Sequence, residues 1–314
     1  LESLSRMLST DEDEIIIVDD NSSDQTFKIA STFKERIPNL IIERNSVNSG
    51  ASVARNRGAA ISKGEIVLFI DSDVTVVNPF RDRLLGIFED GGDVAAIQGI
   101  YDFHTQVNSF ASRYKNLFFH YHHIIISNPE VSFTSTFFLA LRKEIFFSIG
   151  SFNEQIKRAS VEDSELGYNL IREKYLIALD KSLRVRHLAE YNMYSLLKRS
   201  FLNASQKAKS LIRKKGQMGI KHNETEHPVN ILVSIIVGGS STVVLPLALF
   251  YSQMLILFSG LFILFFCLNL KQLSFVYDKM DMWFLLRYSL YLYSDLSTSF
   301  WGLIHGLLCG ILRI

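Results

Sequence analysis

Residues 64–74 read GEIVLFIDSDV, an apolar run that stops abruptly at Asp71-Ser72-Asp73. A run of this kind, without polar alternation, predicts a strand buried on both faces. Such strands lie inside open sheets covered by helices, and the ligands of those sheets bind outside the carboxyl ends of the strands. Two aspartates one residue apart at that edge supply hard oxygen donors suited to Mg2+ or Mn2+, whose coordination phosphate oxygens and water commonly complete. The plainer reading of the triplet is a strand end followed by a turn of Ser and Asp.

Outward from this strand, residues 14–188 alternate short β-branched runs with amphipathic stretches, which predicts an α/β fold with a mixed sheet flanked by helices. Strands are expected at 14–18, 39–43, 65–70, 94–98, 132–141, 175–179 and 183–187. Helices are expected at 25–36, 51–62, 79–89, 105–123, 161–173 and 193–215. Pro79 after Asn78 marks a helix start and Gly64 a stop. There is no internal repeat and no low-complexity segment.

Three further motifs carry chemistry. In 15–26, IIIVDDNSSDQT, an apolar strand delivers Asp19 and Asp20 to the sheet edge, where carboxylates can accept from a nucleobase N–H or a ribose hydroxyl. Equally, both can end the strand while Ser23 or Asp24 caps the next helix. In 48–58, NSGASVARNRG, a glycine-containing loop enters a helix with Arg55 and Arg57 in its first turns, a setting that attracts a diphosphate. It lacks the Lys-Ser/Thr ending of a P-loop and the glycine spacing of a dinucleotide fingerprint, so a capped helix with exposed arginines stands beside that reading. In 160–169, SVEDSELGYN, Asp163 is either a general base for an attacking hydroxyl or the partner of Ser160 in a variant capping box. His120, His122 and His123 lie on a Tyr- and Phe-rich helix, where packing is a better expectation than metal ligation.

In order, VDDNSSDQT at 18–26, NSGASVARNRG at 48–58, FIDSD at 69–73 and ED at 162–163 resemble the family-2 glycosyltransferases of the GT-A fold, over about residues 1–188. The resemblance implies a nucleotide-sugar bound by Asp19, Asp20, Arg55 and Asp71, with Asn48 in a supporting place. It implies a divalent cation at Asp73 and Asp71, and inversion at the anomeric carbon with Asp163 as base beside Glu162. It also puts 133–141 on the acceptor side, where FTSTFFLAL replaces the family's small, Gly-rich stretch. The family opens with an apolar strand and a Pro-x-Tyr-Asn-like turn, whereas this sequence starts within the following helix. Weak or no activity is therefore expected of the chain as given.

The remaining sequence differs in kind. The catalytic domain is expected over 1–190 and a basic amphipathic juxtamembrane segment over 191–229, with Lys198, Arg199, Lys207, Lys209, Arg213, Lys214, Lys215 and Lys221. A membrane domain is expected over 230–314. Its runs 230–251 and 254–270 are free of charge, long enough for a hydrocarbon core of ~30 Å, and separated by only Ser252-Gln253, as in a hairpin. The run 283–311 is interrupted by Arg287, Asp295 and His305, leaving spanning, re-entrant and interfacial placements open. Basic flanks put the hairpin ends, and with them the catalytic half, in the cytoplasm of a multi-pass inner-membrane protein.

The hairpin resembles that of polyprenyl-phosphate glycosyltransferases and of membrane enzymes of surface-polysaccharide assembly. The acceptor is expected to be a glycan or lipid-linked glycan, with a polyprenyl phosphate as the alternative. A different class, an inactive membrane scaffold retaining the fold, also stands. The 33 Lys and Arg against 32 Asp and Glu give no global attraction for nucleic acid, so no nucleic-acid partner is expected. Two cysteines, Cys267 and Cys309, both in apolar runs, are poor material for a disulfide framework.

Overall fold

The computed structural model describes residues 1–8, 12–90, 92–156, 162–213 and 229–312. Ser160 of the expected capping box, Val161 at the expected helix start, and Lys214, Lys215 and Lys221 of the basic stretch lie outside them. Apolar runs become strands β1 (Ile15–Asp19), β2 (Leu40–Arg44), β3 (Ile66–Phe69), β4 (Val74–Val76), β5 (Val94–Tyr101), β6 (Leu139–Arg142) and β7 (Leu176–His187). The helices are α1 (Glu2–Ser5), α2 (Thr26–Ser31), α3 (Ala51–Ile61), α4 (Arg81–Asp90), α5 (Phe110–Ile124), α6 (Lys143–Ser148), α7 (Glu162–Arg172), α8 (Met193–Arg213), α9 (Val229–Ala248), α10 (Ser252–Leu268), α11 (Leu270–Lys279) and α12 (Met282–Leu312). They fall into two units, 1–102 with 126–188, and 103–125 with 189–314. The helix α5 thus groups with the C-terminal residues and not with the strands that flank it in sequence.

In the first unit the sheet is divided. β1 and β2 pair in parallel, and a five-stranded sheet has the order β3-β6-β5-β7-β4. The central β5, VAAIQGIY, is almost wholly buried, as its lack of polar alternation requires. β6 runs antiparallel and β7 parallel to it. The turn expected between 179 and 183 is instead an irregularity within the single strand β7. There Asp180 Oδ1 accepts from Ser182 N at 2.8 Å, and Asp180 Oδ2 pairs with Arg83 Nε at 2.7 Å. The pairing of β7 with β5, which shifts register between Gln98 and Ile100, carries the strand through this turn-like stretch.

In the second unit α9 and α12 are each long and apolar enough to cross a membrane. The second arm of the expected hairpin is 17 residues long, and its axis turns by 57° into α11. α10 and α11 reach the length and apolarity of a span only together. The break between the arms falls at Leu249–Tyr251, just past Pro246.

The polar residues of α12 have protein partners. Arg287 lies over the Phe110 ring at 4.3 Å, Asp295 accepts from Tyr114 OH at 2.8 Å, and His305 Nδ1 meets Ser205 Oγ at 2.9 Å. α8 runs beside α12 in the same direction. Tyr291 OH donates to Met193 O, a Cβ on Gly302 would lie 2.3 Å from Phe201 O, and one on Gly306 would lie 2.2 Å from Ser205 O. Only glycine permits that approach. The histidines of α5 are buried: His122 Nδ1 contacts Phe118 O, and His120 packs on Phe103 and Phe275.

Candidate active site

β3 ends at Phe69, and the next residues carry Asp71 and Asp73 past the sheet edge. Arg55, one turn into α3, reaches this edge. Its Nη2 donates to Asp71 Oδ1 at 3.0 Å and to Thr136 Oγ1 at 2.9 Å, while its Nη1 donates to Glu162 Oε1 at 3.0 Å. Thr136 Oγ1 in turn donates to Asp71 Oδ1 at 3.1 Å. One guanidinium therefore ties together residues from three motifs that are far apart in sequence. Its carboxylate partners differ: the Glu162 side chain is 4% exposed and that of Asp71 31%.

Asp73 lies beside this cluster with its side chain half exposed. The antiparallel pairing of β4 with β7 sets Val74 opposite His187 and brings His187 Nε2 to 3.4 Å from Asp73 Oδ2. Leu188 N donates to Asp73 O at 2.7 Å, fixing the backbone there. Asp163 is half-buried in the first turn of α7, where Ser164 N donates to its Oδ1 at 2.7 Å and its carbonyl accepts from Thr134 Oγ1. The segment 134–136 is held in turn by buried Gln98, whose Oε1 accepts from Ser135 N at 2.6 Å.

The first motif behaves differently from the expectation of two ligand-facing carboxylates. The Asp19 side chain is almost fully buried and pairs with Arg44 Nε at 3.0 Å, its register partner on β2. A carboxylate so enclosed and so paired secures the strand end. Asp20 anchors the loop that enters α3. It accepts from Asn45 Nδ2 at 2.7 Å, Ser49 N at 3.0 Å and Gly50 N at 2.7 Å, while Asn48 Nδ2 donates to its carbonyl at 3.1 Å. Burial raises the Asp20 pKa, but the hydrogen bonds from Asn45, Ser49 and Gly50 outweigh it, and the carboxyl titrates below its ordinary range. Gly50 precedes α3 at φ 98°, a conformation glycine adopts without strain.

The segment 133–141 was expected on the acceptor side, but the ties of Thr134 to Asp163 and of Thr136 to Asp71 and Arg55, and the approach of His187 to Asp73, were not legible. The threonines sit in a run of strand formers, and nothing local in the sequence pairs β4 with β7. Among the described residues no group of three or more His, Cys, Asp or Glu side chains is gathered to hold a metal. At this edge a carboxylate, Asp73, and an imidazole, His187, stand close together.

Residues 1–150 match the model of Glycosyl transferase family 2. The chain carries a family-2 glycosyltransferase domain. The chain is 28% identical over 197 residues to the O-antigen chain rhamnosyltransferase WbaN of Salmonella anatum, covering 60% of each chain. It is 43% identical over 75 residues to the poly(ribitol-phosphate) beta-glucosyltransferase of Bacillus spizizenii, covering 23% of this chain and 12% of that one. The chain thus spans about 60% of the length of the rhamnosyltransferase it matches. In fold it is similar to the mannosyltransferase PcManGT from Pyrobaculum calidifontis, solved with GDP-Man and Mn2+. The TM-score is 0.53 at 15% identity, over 96% of this chain and 78% of that one. The mixed α/β architecture is that of the GT-A fold.

Proposed function

We propose that the protein is an inverting glycosyltransferase that moves a sugar from a nucleotide-sugar to a glycan or lipid-linked glycan at the cytoplasmic face of the cell membrane. The observation that carries this reading is Arg55, whose guanidinium gathers Asp71, Thr136 and Glu162 at one strand end. A transferase of this class must hold a diphosphate leaving group and a base on opposite sides of the anomeric carbon. In this reading the loop 45–50, fixed by Asp20 and Asn48, and the guanidinium of Arg55 receive the nucleotide and its diphosphate. Asp163 accepts the proton of the acceptor hydroxyl as its oxygen bonds to the anomeric carbon and the bond to the nucleoside diphosphate breaks.

Asp73 and His187 would hold a divalent cation, Mg2+ or Mn2+, with Asp71 turned toward Arg55. That cation, when bound, would offset the charge that develops on the leaving diphosphate. The Mn2+ and GDP-Man in the PcManGT structure support this choice of donor and ion. The names of the bacterial relatives support an acceptor in surface-polysaccharide assembly.

Calorimetric titration with a panel of UDP-, GDP- and dTDP-sugars, with and without Mn2+, tests the reading. Binding of one donor that needs Mn2+ and is lost in Asp73→Ala is the expected result. Metal-independent binding unchanged by Asp73→Ala would overturn the metal-bridged donor, and binding of no donor would favour an inactive scaffold.

A further inference from the structure

Gln98 interrupts the apolar run of the central strand β5 and is fully buried. An amide enclosed in this way costs stability unless its polar atoms are matched, whereas a methionine would fill similar space with no such demand. Its Oε1 accepts from Ser135 N at 2.6 Å, and its Nε2 donates to Phe138 O at 3.1 Å and to Gly99 O at 2.9 Å. The amide thus grips both ends of a short 3-10 turn, Thr136–Phe138. A Cβ on Gly99 would lie 2.7 Å from Leu183 O and 2.8 Å from the Phe138 ring, so the glycine beside Gln98 lets that turn approach β5.

The gripped segment reaches two parts of the site. Ser135 is extended at φ −146° and ψ 127°, which sets the side chains of Thr134 and Thr136 on the same side of the chain. Thr136 Oγ1 donates to Asp71 Oδ1 and accepts from Arg55 Nη2. Thr134 Oγ1 donates to the carbonyl of Asp163, and a Cβ on Gly167, one turn further along α7, would lie 3.0 Å from both Thr134 N and Thr134 Oγ1. Three consecutive residues therefore join the end of β3 to the first turn of α7, and Gln98 holds the middle one.

We propose that residues 134–136 are a spacer that fixes the separation of the Asp71–Arg55 cluster from Asp163, and that Gln98 is the positioning residue that holds the spacer. The inference deepens the transferase reading and rests on it for what the two ends do: the Arg55 end receives the donor diphosphate, and the Asp163 end takes the acceptor proton. An inverting transfer needs the leaving group and the attacking oxygen in line at the anomeric carbon, and a misplacement of about 1 Å can lower the rate on the order of 100-fold. Gln98 touches no reacting atom in this arrangement; it acts through Ser135. The two threonines divide the task. Thr136 serves donor binding, and Thr134 serves the placing of the base.

The test uses the full chain in neutral detergent and the variants Gln98→Met, Thr134→Val and Thr136→Val, with circular dichroism checking that each folds. Hydrogen exchange read by mass spectrometry comes first, because it needs neither donor nor turnover. Gln98→Met should speed exchange about ten-fold in peptides covering both 70–74 and 162–168, and leave 15–19 and 40–44 unchanged. Unchanged exchange at either end, or faster exchange in equal measure throughout, would overturn the spacer. If Gln98→Met does not fold, the decision passes to the threonines: Thr134→Val should loosen 162–168 alone and Thr136→Val 70–74 alone, and any other pattern overturns the spacer. The second measurement uses whichever nucleotide-sugar of the UDP-, GDP- and dTDP-sugar panel binds with Mn2+. Thr136→Val should weaken its binding about ten-fold, whereas Thr134→Val should keep that binding within about two-fold of the parent and lower the kcat of donor hydrolysis about ten-fold. Equal effects of the two threonines on binding and on kcat would overturn the division of roles. Failure of every donor to bind would sink the transferase reading alone, with the exchange pattern still deciding the spacer.

Discussion

Arg55 stands between carboxylates of unequal exposure, and that inequality decides what its loss would do. Asp71 keeps some contact with water, whereas Glu162 is enclosed and has the guanidinium as a charge partner. Removing one member of an enclosed pair strands the other charge, at a cost of about 3 kcal/mol. Arg55→Ala should therefore lower the thermal midpoint of the detergent-solubilised protein clearly. Adding Glu162→Gln should restore more than half of the loss without restoring transfer. Failure of the second change to rescue stability would show that the ion pair is not the source. Asp20 gives a prediction in pH. Its carboxyl is held below its ordinary range by Asn45, Ser49 and Gly50, against the opposing effect of burial. The stability it adds is complete above the unfolded value near 3.8 and is lost as pH falls through the lower folded value. Asp20→Asn should cost about 1 kcal/mol at pH 7, the scale of a lost helix cap. Its deficit against the parent should shrink as pH falls below about 4. Thermal midpoints from pH 7 down to pH 3 measure this, and a deficit constant with pH would refute it.

Among the elements, contact between α8 and α12 depends on Gly302 and Gly306, where a side chain would strike backbone carbonyls of α8. Carbonyls within a helix cannot move aside cheaply, so Gly306→Ala should destabilise by roughly 1–3 kcal/mol despite alanine's better helix propensity. Gly260 in α10 has open space around its missing Cβ, so Gly260→Ala should leave the thermal midpoint unchanged or raise it. Equal effects of the two substitutions would remove close packing as the cause. The elements also divide by how far the sequence announces them. β3 is legible as an unbroken apolar run, β5 as an apolar run interrupted by Gln98, and α7 because its apolar positions recur at helical spacing. β4 is only Val74–Val76, and it exists through its pairing with β7 more than a hundred residues later. The same non-local pairing brings His187 to Asp73, which explains why the strand ending at His187 was legible while its place in the site was not. Thr136 likewise reads as one strand former in FTSTFFLAL, because Asp71, its partner, is 65 residues away. The pairing of Asp19 with Arg44 was hidden for the opposite reason: a strand-end aspartate looks the same in sequence whether or not an arginine on the next strand meets it.

At the scale of the whole molecule the membrane-associated unit raises a question that single helices do not. α12 alone, with 31 residues and a largely apolar composition, qualifies as a span. Yet α8 runs beside it from Met193 near Tyr291 to Ser205 near Gly306 and Ile212 near Gly310, so the two helices share one placement. α8 carries Lys198, Arg199, Lys207, Lys209 and Arg213. Each such residue at the bilayer centre costs about 2.5–3.5 kcal/mol on insertion scales, so taking this set across would cost on the order of 10 kcal/mol even with snorkelling. Both helices lying in the headgroup region avoids that cost. Trp283, Leu286, Leu290, Trp301 and Leu308, all exposed, fall on one face of α12 at helical spacing, as an in-plane helix requires. The charge-free α9 then remains a segment suited to cross, beside α10 and α11 taken together. Single cysteines in a background lacking Cys267 and Cys309, labelled with a membrane-impermeant maleimide, distinguish the placements. Arg199→Cys and Lys209→Cys should both label in inside-out vesicles and neither in right-side-out ones, while Ser240→Cys in α9 stays protected in both. Labelling of Lys209→Cys only in right-side-out vesicles would mean that α8 and α12 cross together, and that the cations of α8 face a polar path or a partner within the membrane.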